Sequence, residues 1–173
     1  MPRDLFQALT DPVISIGTLA EKTGLSVSAI RKYEAEGLLI PHRTPSNHRL
    51  FSHEAIERVR IIRSMIQDKG LSVEGIRRLQ ALLPCWELID CTSEKRASCL
   101  ASTDNTRPCW MLRGLDCAPT GNECRSCVVY RLGSQCIQDI KQVLFGGEGS
   151  KKLEECKDAL AKRFVRSSKR RRR

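Results

Sequence analysis

The chain has 173 residues, of which 40% are hydrophobic and 5% aromatic, with a formal net charge of +10 and nine cysteines. That length allows one or two small domains, the absence of any 18-residue apolar run excludes a membrane-spanning helix, and Met1-Pro2-Arg3-Asp4 lacks the charged-then-apolar layout of an export signal. A cytoplasmic protein is expected, and in a reducing compartment nine cysteines point to metal binding or redox sensing before static disulfides.

Val13-Ile14-Ser15-Ile16-Gly17 opens the first element. Ser15 or Gly17 can cap a short helix through Thr18–Thr23, and Gly24 supplies its stop. Ser26 can cap a second helix, Val27 to Glu36, which Gly37 ends. Two short helices around a tight glycine-containing turn form a helix-turn-helix layout. The second helix is read as exposing Ser26, Ser28, Arg31, Lys32 and Tyr33, types that donate to phosphates and base edges, with Ala29 and Ile30 turned to the core. Tyr33 packed under the following segment, and Arg31 paired with Glu34 at i, i+3, are the blander alternatives.

Residues 42–51 place two short extended pieces around the polar turn Thr44-Pro45-Ser46-Asn47, which reads as a β-wing with Arg43 and Arg49 on either side of its tip. The pair is placed to clamp a phosphate run. Ser52 is expected to cap a helix from His53 to about Asp68, with Ile56, Val59, Ile62 and Ile66 as its apolar stripe. Gly70 stops it. Ser72 is expected to cap a last helix with Val73, Ile76, Leu79, Leu82 and Leu83 inward, ended by Pro84. The three histidines, His42, His48 and His53, have no paired ligand spacing.

Gly17-Thr18-Leu19-Ala20, Ser28-Ala29-Ile30-Arg31-Lys32-Tyr33-Glu34, Gly37-Leu38-Leu39-Ile40-Pro41, His48-Arg49-Leu50-Phe51 and Lys69-Gly70-Leu71-Ser72-Val73-Glu74-Gly75-Ile76 closely resemble the MerR family of bacterial transcription regulators. The resemblance covers residues 13–83. It implies a helix carrying Ser28, Arg31, Lys32 and Tyr33 in the major groove and a wing contacting the backbone through Arg43, Asn47, His48 and Arg49. It also implies a homodimer that bends and untwists double-stranded promoter DNA, serving RNA polymerase indirectly. Many family members continue into one long dimer-forming helix. Here Pro84-Cys85 arrives instead, and no heptad pattern follows through residue 124.

Residues 84–130 hold seven cysteines: Cys85, Cys91, Cys99, Cys109, Cys117, Cys124 and Cys127. Thiolates are soft ligands suited to zinc and iron–sulfur clusters, and these seven are the candidate metal ligands. Cys124-Arg125-Ser126-Cys127 is the sharpest local signal, because a two-residue gap lets both sulfurs face one ion. Cys85-Trp86 and Cys109-Trp110 each lead a cysteine series, suggesting a duplication that looks like a cysteine module sometimes called two-CW. A thiol–disulfide switch and a set of small buried hydrophobes are the other readings of these thiols. The occupant stays open between zinc, a cluster and none.

Apolar residues at helical spacing return at Val129, Leu132, Cys136, Ile140 and Val143, predicting a helix from about Ser126 to Phe145. Ser150 is expected to cap another bearing Leu153, Cys156, Leu160 and Phe164. Residues 131–173 carry 13 Lys and Arg against 5 Asp and Glu, and Lys169–Arg173 is a run of five cations. Such a tail gathers phosphates by counterion release or is simply solvated.

The expected fold is mainly α: a winged helix-turn-helix of four helices with a short β-wing (13–83), a cysteine-rich irregular module (84–130), then two C-terminal helices with a basic tail (131–173). The expected function is DNA-binding transcriptional regulation, with the cysteine-rich segment sensing metal or redox state. An architectural, excision-type winged-helix protein with a purely structural metal site is the alternative. With no Cys–His pair, carboxylate pair or phosphate-cradling glycine loop, an enzyme or electron carrier is the least favoured reading.

Overall fold

The computed structural model describes residues 9–89, 91–115, 117 and 124–136. Its first segment is a two-residue strand, β1 (Ile14–Ser15), running straight into α1 (Ile16–Thr23). The Ser15 hydroxyl accepts the Thr18 N–H at 3.1 Å, satisfying one of the donors that a helix start leaves open. Gly24, in the left-handed region at φ 64°, ends the helix, and the Leu25 N–H returns to the Ala20 carbonyl. Ser26 then caps α2 (Val27–Ala35) by accepting the Ala29 N–H at 3.2 Å.

The wing consists of β2 (His42–Arg43) and β3 (Arg49–Phe51), antiparallel, with Arg43 opposite Arg49. β1 joins the other edge of β3, giving the order β1-β3-β2. Asn47 at the tip adopts φ 62°, which its short polar side chain tolerates better than most residues would. α3 (His53–Gln67) and α4 (Val73–Ala81) follow, α4 capped by Ser72, whose hydroxyl accepts the Gly75 N–H at 3.0 Å.

Two expectations in this region are corrected. Ser52 occupies the N-cap position before α3 but makes no side-chain cap. It is buried, and its backbone carbonyl takes the Ala55 N–H. Leu82 is not inward but 43% exposed, because the chain leaves helical geometry after Ala81 and turns only Leu83 into the interior.

Beyond Pro84 the chain forms short 3₁₀ turns at Cys85–Glu87, Leu100–Ser102, Cys109–Met111 and Cys124–Ser126, a short helix α5 (Ser93–Ser98), and α6 (Val128–Cys136). The helix expected over 126–145 is described as far as 136. Its remainder, the Ser150-capped helix and the basic tail lie outside the described residues. Two apolar clusters result. One gathers Leu19, Ile30, Tyr33, Leu38, Phe51, Val59, Ile62 and Ile76, and the other Leu83, Cys85, Leu88, Val129 and Leu132. α3 touches α1, α4 and α6, so it carries the winged domain on one side and the cysteine-rich segment on the other. The molecule is mainly helical with one small sheet, and among the described residues no helix is long and apolar enough to cross a membrane.

Candidate nucleic-acid interface and cysteine cavity

α2 turns two faces. Ile30 and Tyr33 go inward, while Ser26, Ser28, Arg31 and Lys32 are exposed. This follows from the helical repeat: residues 30 and 33 share one side, and 28, 31 and 32 take the rest. Ser26 and Ser28 share a 2.8 Å hydroxyl–hydroxyl hydrogen bond at the helix start. A helix N-terminus presents its N–H groups and dipole outward, an arrangement that suits phosphate oxygens.

The exposure expected for Tyr33 is corrected. The residue is 6% exposed and belongs to the core cluster. Its carbonyl accepts both the Leu38 and Leu39 N–H groups as the chain reverses, which turns the ring beneath that reversal. Burial holds its phenol above the usual range, partly offset by the Arg63 charge.

The wing is tied to α2 by one carboxylate. Glu34 accepts from Arg43 Nη2 at 2.6 Å and from Arg49 Nε at 2.7 Å. Glu34, the partner that the blander reading of Arg31 would have used, is thus held by two wing arginines. Arg43 also donates to Asn47 Oδ1 at 2.9 Å, and the His48 N–H donates to Thr44 Oγ1, closing the tip. Arg43, Asn47 and His48 remain exposed and Arg49 half-buried. Exposed Arg31 and Lys32 therefore stand on the same helix whose Glu34 restrains the wing cations.

All seven cysteines of residues 84–130 line a single cavity of about 710 Å³, shared with Ile89, Trp110, Leu115, Val129 and Tyr130. The two cysteine series led by Cys85-Trp86 and Cys109-Trp110 are thus brought to one space. Cys85 is buried, Cys91, Cys99, Cys109 and Cys127 are half-buried, and Cys117 and Cys124 are exposed. All seven are free thiols. Burial, reinforced by neighbouring sulfurs, pushes the Cys85 thiol up to about 11 and raises Cys109, Cys117 and Cys124 as well. These thiols are protonated at neutral pH. The donor set suits soft metals in kind. Among the described residues, however, no three His, Cys, Asp or Glu side chains are grouped to hold an ion as they stand.

A set of contacts that the sequence did not reveal joins this cavity to the winged domain. Trp110 Nε1–H donates to the Gly37 carbonyl at 2.7 Å. The Ile40 N–H donates to the Tyr130 hydroxyl at 2.9 Å. Arg58, 6% exposed, donates Nε to the Leu38 carbonyl at 2.6 Å and Nη1 to the Tyr130 carbonyl. Its guanidinium lies 3.8 Å from the Tyr130 ring centroid, and Tyr130 meets Trp110 edge-on at 5.3 Å. Beside these, Arg131 on α6 makes a two-oxygen ion pair with Glu54 on α3. One signal was readable: Arg58 falls in the 3, 4, 3 row Ala55, Arg58, Ile62, Met65, a charge on a buried stripe. Nothing in the spacing announces the Trp110 and Tyr130 contacts.

Residues 14–83 match the model of the MerR HTH family regulatory protein. The HTH-type transcriptional regulator GlnR of Bacillus anthracis is 37% identical over 68 residues, 39% of this chain and 52% of that protein. The HTH-type transcriptional activator SoxR homolog of Chromobacterium violaceum is 38% identical over 76 residues, 44% of this chain and 51% of that protein. The mercuric resistance operon regulatory protein of Bacillus cereus is 37% identical over 65 residues, 37% and 48% of the respective chains. The chain spans about half the length of the curated relatives it matches. With the two capped helices, the three-stranded wing and this match, residues 14–83 are a MerR-family helix-turn-helix domain.

Proposed function

We propose that this chain is a MerR-type transcriptional regulator, not an enzyme, acting in the cytoplasm as a homodimer on double-stranded promoter DNA and on RNA polymerase indirectly. α2 enters the major groove with Ser26, Ser28, Arg31 and Lys32 toward the bases and flanking phosphates, and the wing follows the backbone with Arg43, Asn47, His48 and Arg49. The observation that carries this reading is the exposed row on α2 beside a wing held in place by Glu34. The cysteine-rich segment is the sensor of metal or redox state. Its seven thiols share one cavity, and Val129 and Tyr130 in the wall of that cavity lie on α6, which packs against α3, the helix that supports the reader. Zinc and an iron–sulfur cluster are the metal occupants that an all-thiol donor set favours; either would supply a crosslink between the turns that carry the cysteines.

Selection of a binding sequence from random duplexes, followed by titration of the reduced protein, tests the DNA reading. A selected site bound at least about 10³ times more tightly than random duplex at physiological salt is expected, the lower bound for specific readers. Equal affinity for both overturns sequence-specific regulation and leaves an architectural role. Metal and sulfide analysis after anaerobic purification, with reporter output from the Cys124→Ser, Cys127→Ser double variant, tests sensing. Unchanged output across metal and oxidant exposure defeats it.

A further inference from the structure

We infer that the Cys109–Trp110–Met111 turn together with Tyr130 transmits the state of the cysteine cavity to the DNA-reading elements within one chain, through its hold on the Gly37–Ile40 segment between recognition helix and wing. The inference rests on the sensing role proposed for the cavity and specifies its regulation.

The segment 37–40 is the short covalent path from α2 to β2, so its position fixes how helix and wing stand to each other. The N–H groups of residues 37–39 return to the Glu34 and Tyr33 carbonyls of α2, and three further backbone groups are held by side chains from farther along the chain. Gly37 gives its carbonyl to Trp110, Leu38 gives its carbonyl to Arg58, and Ile40 gives its N–H to Tyr130. The Met111 side chain lies against Gly37 so closely that a Cβ there would sit 2.2 Å from Sδ. On the other side, Cys109 precedes Trp110 directly, and both Trp110 and Tyr130 line the cysteine cavity. The same residues therefore form the wall of the cavity and the grip on the reader.

Geometry gives the coupling its direction. The thiols are spread around about 710 Å³ and are not gathered for one ion. Tetrahedral coordination by thiolates needs sulfurs about 2.3 Å from the metal, so an ion binding there draws the turns together, releasing thiol protons to solvent. Disulfide formation contracts the wall likewise; with diamide as oxidant, two thiols give up two electrons and two protons to the reagent as the S–S bond forms. The Cys109–Met111 turn cannot shift while Trp110 and Met111 stay in place on Gly37. Packed contacts move between discrete arrangements and do not stretch. Close packing at Gly37 therefore converts contraction of the cavity into displacement of the helix–wing link.

The test uses the full chain and its selected duplex, with zinc ion and, separately, diamide as probes. Trp110→Phe removes the indole donor and keeps an aromatic ring, and Tyr130→Phe removes only the hydroxyl. Amide exchange at Ile40 is followed without DNA, and duplex affinity with and without each probe. In the wild type, at least one probe changes duplex affinity and shifts Ile40 exchange by about fivefold, the factor that one neutral hydrogen bond carries. In Tyr130→Phe, Ile40 exchanges about fivefold faster before any probe is added. In both variants zinc still binds, counted by chelator titration, but the affinity ratio between probed and unprobed protein falls to within about twofold of one. Variants that keep the wild-type ratio overturn the inference while leaving sensing intact. A wild type indifferent to both probes overturns the sensing role and this inference with it. Tyr130→Phe, which deletes one atom, decides the matter if Trp110→Phe does not fold.

Discussion

Trp110 donates its indole N–H to the carbonyl of Gly37 across 73 residues of chain, at 2.7 Å. The contact demands a residue at 37 with no side chain, because φ there is 71° and Met111 fills the space where a Cβ would project. Replacing Gly37 by Ala is expected to cost about 1–2 kcal/mol from the left-handed backbone alone, with a further penalty for displacing Met111. Urea unfolding checks this. In a Met111→Ala background the clash disappears and the backbone cost remains, so the double variant should recover part of the loss. A Gly37→Ala protein as stable as the parent contradicts the close approach.

Local rules carried the winged domain well. Ser15, Ser26 and Ser72 cap as their types and positions dictate, and Gly24 and Gly37 end their helices with positive φ, because those choices are settled within a few residues. Tyr33 failed because sequence spacing gives a helix face but not the fold of the chain that returns across it. Ser52 failed because burial competed with capping. The cysteine cavity was half legible: the seven residues were evident, but their gathering around one space depends on α6 docking through Arg131 and Glu54, a pairing 77 residues long. The clasp on residues 37–40 uses backbone carbonyls and N–H groups as partners, and side-chain pattern carries no record of these.

Glu34 holds both wing arginines with one carboxylate, so Glu34→Gln is expected to loosen the wing and unmask positive charge at the same time. Partly exposed ion pairs contribute little, and a stability loss of about 1 kcal/mol or less is expected. The effect on DNA is larger in kind than in energy. Non-specific duplex should bind more tightly, with a salt dependence steeper by about one phosphate contact, while discrimination between selected and random duplex falls. Fluorescence anisotropy at several salt concentrations measures both. A shallower salt slope would contradict the masking role.

Arg31 and Lys32 are exposed on α2 and should separate by function. Arg31→Ala is expected to lose about 1–3 kcal/mol of preference for the selected site if it forks onto a guanine edge, with the thermal midpoint unchanged. Lys32→Ala, as a phosphate contact, should weaken all duplexes alike and lower the salt slope by about one. Loss of folding stability in either variant would show that the side chain serves the domain and not the groove.

Cys85 links acidity to stability. Its thiol is raised from an ordinary value of 9.0 to about 11, chiefly by burial and then by the sulfurs of Cys99, Cys117 and Cys91. A raised value means that the folded state keeps its proton more tightly than the unfolded chain does. The contribution is therefore fully present below pH 9 and is lost as pH rises toward 11. Urea midpoints of the reduced, chelator-treated protein should fall over that window, and Cys85→Ala should flatten part of the fall. A midpoint that rises between pH 9 and pH 11 would reverse the sign argued here.

Arg58 bridges the two apolar clusters. Its guanidinium satisfies carbonyls of Leu38 and Tyr130 and stacks on the Tyr130 ring, all in a buried setting that lowers its pKa. Arg58→Ala strands both carbonyls and opens a void, at an expected cost of about 2–4 kcal/mol. Arg58→Met restores most of the volume but none of the donors, so it should recover less than half of that cost. The loss should also be directional. The winged domain keeps its own cluster of Leu19, Ile30, Phe51 and Ile62, whereas α6 loses the Arg58 bridge to residues 37–40 and is left with the Tyr130 hydroxyl on Ile40. Limited proteolysis of Arg58→Ala is expected to cut within residues 84–136 before it touches 14–83. Cleavage at equal rates in both parts would place Arg58 in the stability of the winged domain alone.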